Sequence, residues 1–107
     1  MQAPETVGLN VTEIKEVTRF LVALGDPVRL QLLYLLGGQG RRNVGEIAGQ
    51  FRLSRPAISH HLKVLKDAGV IESEKMGQEV YYWLEREHIV ASLRALADAA
   101  ANFRCDG

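Results

Sequence analysis

The stretch that most restricts the fold is residues 43–69, NVGEIAGQFRLSRPAISHHLKVLKDAG. It holds two helical patterns separated by very little chain. Asn43 and Glu46 have the spacing of a capping box. Val44, Ile47, Ala48 and Phe51 follow at i, i+3, i+4 and i+7, an apolar helical stripe. Gly45 and Gly49 each cost about 1 kcal/mol of helix propensity, so packing must hold this short helix. Only Arg52-Leu53-Ser54 separates it from the next pattern. Ser54 is a good N-cap, Pro56 is tolerated in a first turn, and Asp67-Ala68-Gly69 ends the helix.

At about 100° per residue, the second helix sorts into two sides. Ile58, Leu62, Leu65 and Ala68 cluster on one, with Ala57 and His61 at the edge. Ser59, His60, Lys63, Lys66 and Asp67 occupy the other, and Arg55 lies in the first turn. Two helices joined by a three-residue turn, the second bearing a hydrogen-bonding and mostly cationic face, describe a helix-turn-helix. In that motif the second helix enters the DNA major groove, its N-terminal residues foremost. Arg55 suits bidentate reading of guanine, Ser54, Ser59 and His60 suit bases or phosphates, and Lys63 and Lys66 suit phosphate oxygens. The ordinary alternative is a solvated polar face on a core helix.

Upstream, Asn10 and Glu13 form another capping-box pair, and Ile14, Val17, Leu21 and Leu24 recur at helical spacing up to Gly25. Asp26-Pro27 opens a second helix as N-cap and first helical residue. Leu30, Leu33 and Leu36, widened by Leu32 and Leu35, predict that it is buried on much of its circumference. GGQGRR, 37–42, reads as a flexible loop. Downstream, VIESEK and EVYYWL flank the turn signal Met76-Gly77-Gln78 and predict a β-hairpin. Val80, Tyr82 and Leu84 fall on one face of it, Tyr81 and Trp83 on the other. Lys75 and Gln78 near its tip are placed to reach the DNA backbone or minor groove. A very short strand before residue 44 is expected to pair with this wing. Residues 87–104 read as a last helix, with Ile89, Leu93, Leu96, Ala100 and Phe103 in a heptad-like stripe. A stripe of that kind at a chain end needs a partner, and a symmetric pair of recognition helices needs symmetric half-sites.

Composition narrows the function classes. The chain has 107 residues, enough for one domain, with residues 1–9 reading as a flexible tail and 10–104 as the folded unit. Apolar content is 47% and aromatic content 7%, so the core is aliphatic. Net charge is zero, which argues weakly against nucleic acid, but the distribution is uneven. Arg52, Arg55, Lys63 and Lys66 meet no acid between them, whereas Glu72, Glu74, Glu79, Glu85 and Glu87 face only Lys75 and Arg86. Local charge governs phosphate affinity, and a basic surface survives the neutral total. Cys105 is the single cysteine, which excludes an internal disulfide framework and a Cys-x-x-Cys knuckle and fits a reducing cytoplasm. MQAPETVG is not a secretory signal, and no apolar run reaches the roughly 18 residues that span a bilayer, so no membrane partner is expected. Ser59 and His60 have no third orienting group, and GGQGRR lacks the Lys-Ser/Thr ending of a phosphate loop, so an enzyme is not expected.

LGDPVRLQLLYLL, VGEIAGQF and LSRPAISHHLKVLKDAGVIESEKMGQEVYYWL together resemble the ArsR-type (ArsR/SmtB, arsenical-resistance and metal-sensor) winged-helix repressors. The resemblance covers about residues 14–98, and its S-x-x-x-x-S-x-H-L-x-x-L-x-x-A-G-x-I run is quite specific. It implies a homodimer built from the first and last helices, here Ile14, Val17 and Leu21 with Ile89, Leu93, Leu96, Ala100 and Phe103. It also implies a partly palindromic operator and release by an inducer or a chemical modification. Members that sense soft metals carry Cys-x-Cys at the start of the first motif helix, where this chain has Asn43 and Gly45. Others hold zinc-like ions in the last helix. His88 matches one of those positions, but the other three fall on Arg86, Ala99 and Asn102. No metal or other cofactor is therefore expected.

The expectation is a mainly α winged helix-turn-helix, in the order α-α-α-α-β-β-α, acting as a homodimeric DNA-binding repressor. Two alternatives are open: a winged-helix protein-interaction module that never touches DNA, and a thiol- or metal-responsive sensor using Cys105 or His88.

Overall fold

A computed structural model describes residues 10–106. The expected tail, 1–9, lies outside the described residues. The elements are α1 (Val11–Leu24), α2 (Pro27–Gln39), β1 (Arg42–Asn43), α3 (Val44–Ala48), α4 (Arg55–Asp67), β2 (Ile71–Met76), β3 (Glu79–Leu84) and α5 (Arg86–Ala101). β1 is the short strand expected before residue 44. It pairs antiparallel with β3, Arg42 opposite Tyr82, so the wing is a three-stranded sheet of order β1-β3-β2.

Local hydrogen bonds set most boundaries. Asn10 Oδ1 accepts from the Glu13 N–H (2.9 Å) to start α1. Asp26 Oδ1 accepts from Val28 (2.8 Å) and Arg29 (3.1 Å) to start α2. Asn43 and Glu46 close a full capping box on α3, at 2.8 and 3.0 Å. Ser54 Oγ accepts from Ala57 (3.2 Å) to start α4. Gly77 (φ 65°) occupies the first central position of the two-residue wing turn, and no other residue type tolerates that conformation as cheaply. The turn is Gly77-Gln78 alone, because Met76 pairs with Glu79.

Several expectations are corrected. The stretch from Gly37 to Gln39 is helical, not a flexible loop. α2 runs on until Gly40, whose left-handed φ of 77° ends it while its N–H bonds the Leu36 carbonyl. A reciprocal amide pair, Gln39 with Gln50 at 2.9 Å each way, holds this last turn against the segment after α3. α3 stops at Ala48 and leaves Phe51 in a following turn, since Gly49 withdraws helix propensity. α5 begins at Arg86 and ends at Ala101, so Phe103 lies beyond the helix in a turn closed on Ala100. α2 is less enclosed than its leucines suggest: Leu32 and Leu36 are buried, Leu33 and Leu35 partly, but Leu30 and Tyr34 are exposed.

The core forms where α1, α2, α3 and α4 converge on the base of the wing. Leu32, Ile47, Ile58, Leu62, Leu65, Val70 and Ile71 are fully buried, joined by Phe20 and Ala23 of α1. Thus α1 has two apolar faces. Phe20 and Ala23 serve the protomer's own core, while Ile14 (36%) and Leu21 (44%) stay exposed. Not one of the 16 residues of α5 is buried. Ile89 packs partly against the core, but Leu93 (46%) and Phe103 (51%) face solvent. Among the described residues no single helix is long and apolar enough to cross a membrane.

Candidate nucleic-acid interface

α4 follows from its sequence. Ile58, Leu62 and Leu65 recur at i, i+4 and i+7, and burying them completely turns the opposite side outward. That side carries Arg55, Ser59, His60, Lys63 and Lys66, all exposed. Arg55 stands at the first helical position with no ion pair or side-chain hydrogen bond among the described residues. Ser54 is committed as the cap through its oxygen, and its hydroxyl proton is free to donate. Lys63 and Lys66 are held within the protein. Lys63 Nζ pairs with Asp67 one turn on (2.9 Å), and both ends are well exposed. Lys66 Nζ donates to Ser73 Oγ on β2 (2.8 Å), which joins α4 to the wing. An exposed i,i+4 pair is worth a few tenths of a kcal/mol, so a phosphate can replace Asp67 at Lys63.

The pleat of the wing separates its charges. Ser73 is opposite Tyr82 and Lys75 opposite Val80, on the face that Lys66 reaches. Glu72 is opposite Trp83 and Glu74 opposite Tyr81, on the other face. There Arg41 stacks over Trp83 (4.0 Å to the ring centroid) and approaches Glu74 (3.8 Å). The Trp83 Nε1–H donates to Glu85 (3.2 Å). Glu72 and Glu74 of the wing are therefore turned to the face opposite the one that Lys66 reaches. Lys75 and Gln78 are exposed at the tip, on the strand end and in the turn.

Both inward histidine contacts are structural. His61 Nδ1 receives a hydrogen bond from Arg29 Nη1 (3.1 Å). His88 Nε2–H donates to the Ala68 carbonyl at the end of α4 (3.1 Å), and its ring meets Phe20 edge-on at 6.1 Å. The Arg29–His61 bond, the Lys66–Ser73 bond and the Arg41–Trp83 stack were not expected from sequence. Each joins elements whose juxtaposition no local periodicity reports, although the paired arginines before Asn43 were a visible signal of unassigned cations. Burial raises the Tyr82 hydroxyl above its ordinary pKa, in keeping with a ring turned toward the core.

Residues 26–73 match the family described as "Bacterial regulatory protein, arsR family". The transcriptional repressor SdpR of Bacillus subtilis (strain 168) is 48% identical over 62 residues, spanning 58% of this chain and 68% of that protein. The chain belongs to the arsR family of bacterial regulatory proteins. The ArsR-like transcriptional regulator from Rhodococcus sp. RHA1 superposes on it with a TM-score of 0.76, at 30% identity and 85% coverage of each chain. The homodimeric winged helix-turn-helix DNA-binding domain Mb0332 from Mycobacterium bovis does so with a TM-score of 0.68, at 28% identity, covering 95% of this chain and 99% of that one.

The arsR-family metal positions named above do not fit a metal in this chain. Asn43 spends its side-chain oxygen on the Glu46 N–H, and Gly45 has no donor. Asn102 donates to the Asp98 carbonyl (3.0 Å), Ala99 has no ligand atom, and Arg86 is a cation. His88 is left without its partners and holds Ala68 instead. Cys105 is exposed near the end of the described residues, beside the Arg104–Asp106 pair.

Proposed function

We propose that this arsR-family chain is a homodimeric transcriptional repressor acting on double-stranded DNA in the cytoplasm, with α4 as its recognition helix. The observation that carries the reading is the division of α4: three fully buried aliphatic residues behind, and Arg55, Ser59, His60, Lys63 and Lys66 exposed in front. Arg55 reads a guanine edge at the leading end of the helix, and Ser59 and His60 contact bases or phosphates one turn on. Ser54, Lys63 and Lys66 hold the backbone, while Lys75 and Gln78 reach it from the wing. The homodimeric Mycobacterium bovis domain supports pairing, and so do the apolar residues that one protomer leaves exposed on α1 and α5. Ile14, Val17 and Leu21 would meet Leu93, Leu96, Ala100 and Phe103 of a second copy, with Ile89 shared between the core and that surface. Pairing sets two copies of α4 on half-sites of a partly palindromic operator.

An electrophoretic shift with the DNA upstream of the chain's own coding sequence, repeated at two salt concentrations, tests this. A shift that weakens steeply with salt is expected, because each neutralised phosphate releases counterions. No shift at low salt would instead favour a protein-interaction module working through the Trp83 face of the wing.

A further inference from the structure

We propose that His61 is a positioning residue for the DNA-binding helix, holding α4 to the end of α1 through Arg29 only while its ring is neutral. The proposal rests on the repressor reading and adds a pH dependence to it.

One guanidinium joins three helices. Arg29 lies in the first turn of α2. Its Nε donates to the Ala23 carbonyl (2.7 Å) and its Nη2 to the Val22 carbonyl (3.2 Å), both in the last turn of α1. Its Nη1 donates to His61 Nδ1 (3.1 Å) in the middle of α4. α1 carries part of the exposed apolar stripe and α4 carries the exposed polar face. The side chain therefore ties the end of the helix that carries the proposed pairing stripe to the helix that carries the proposed DNA surface.

The chemistry of the bond fixes its proton state. A guanidinium has only donors and stays protonated, so Nδ1 must accept and the imidazole proton must sit on Nε2. Protonating the ring turns Nδ1 into a donor and places one cation against another. The bond is then lost and the arginine repelled. The charged and titratable groups around His61 are Arg29 and Asp26 on the α2 side and the adjacent His60 ring, 6.0 Å away between centroids. From α1, the Ala23 and Val22 carbonyls hold the same Arg29. Histidine is the side chain whose ordinary charge change falls between about pH 5 and 8, and this bond exists only with the neutral ring.

The experiment measures operator affinity of the full chain at about pH 7.5 and about pH 5.5 and fixed ionic strength, for wild type, His61→Asn and His61→Leu. An asparagine carboxamide oxygen replaces Nδ1 as an acceptor that does not titrate, whereas leucine offers none. His60 is present in all three proteins, so its contribution cancels in the comparison. Acid is expected to weaken wild type about three- to tenfold more than His61→Asn, the size of one net hydrogen bond. At neutral pH His61→Asn should bind like wild type, and His61→Leu should bind about three- to tenfold worse at both pH values. Nitrogen NMR of the free protein, with DNA absent, should show His61 protonated on Nε2 at neutral pH and the Arg29 Nη1–H, the donor to His61, losing exchange protection in acid. If His61→Asn follows the wild-type pH profile while DNA is bound, or if the ring carries its proton on Nδ1, the positioning role is overturned and the repressor reading stands. If the ring titrates as described but no variant binds DNA at any pH, the repressor reading falls and takes the positioning role with it.

Discussion

Asp26 and Arg55 occupy the starts of two helices and put their charges to different uses. Asp26 turns inward on its own helix. The Arg29 N–H, ahead of the Val28 N–H and the nearby Arg29 and His61 charges, holds its carboxyl below the usual carboxylate range against some opposing desolvation. Because its folded pKa is depressed, the stability it contributes is fully present above the unfolded value near pH 4 and is lost as pH falls through the folded value. Urea melts should therefore show Asp26→Ala less stable than wild type by a constant margin above about pH 5, with the margin closing in stronger acid. A margin that widens in acid would contradict the assignment. Arg55 turns outward and has no partner within the chain among the described residues. Arg55→Ala is expected to cost about 1–3 kcal/mol of binding on the operator and far less on unrelated DNA. Lys63→Ala is expected to weaken both alike and to make the salt dependence shallower by about one unit. Anisotropy titrations on the two DNAs decide it: equal loss on both for Arg55→Ala makes that residue a phosphate contact.

Between elements, the junction of α4, β2 and α5 carries the most strain-sensitive contact. Gly69 (φ 76°) ends α4, and a Cβ there would lie 2.9 Å from His88 Nε2, the atom that holds the Ala68 carbonyl. Gly77 has a similar φ of 65° but open space around it. Gly69→Ala should therefore destabilise by about 1–3 kcal/mol, more than Gly77→Ala, and His88→Ala should be partly compensating in the Gly69→Ala background. Thermal melts of the four proteins measure this, and simple additivity would contradict the contact. The same junction shows what a linear sequence can disclose. Asn10, Asp26, Asn43 and Ser54 announced their helices because a cap is a bond between residues two or three apart. The α4 faces were legible because burial of Ile58, Leu62 and Leu65 follows the helical period. The β1 pairing with the wing was expected, but Arg41 on Trp83 and Arg29 on His61 were illegible, because they join residues roughly 30 to 40 positions apart by tertiary packing. Gly37 and Gly38 misled for a related reason: the glycines suggest a loop, whereas Gly40 and the Gln39–Gln50 pair fix the helix end.

For the whole molecule, the large apolar residues that one protomer leaves exposed fall mainly on α1, with Leu93 on α5, Phe103 just beyond it and Leu30 and Tyr34 on α2, while charge is divided across the wing and α4. That division suits a twofold assembly with one side for its partner and another for DNA. Leu93→Glu is expected to leave the protomer fold intact, since Leu93 is 46% exposed, while dissociating the dimer. Two leucines change per dimer, each worth about 1.5–3 kcal/mol if buried. Sedimentation velocity and circular dichroism on the same sample test it, and an unchanged dimer would place the interface elsewhere. The most direct test of the whole account is a hydroxyl-radical footprint of the wild-type protein on its upstream DNA. Two protected tracts related by a twofold axis and centred about one helical turn apart, both weakened by Lys63→Ala, are predicted. A single unpaired tract, or protection indifferent to α4, would contradict recognition by a symmetric pair of these helices.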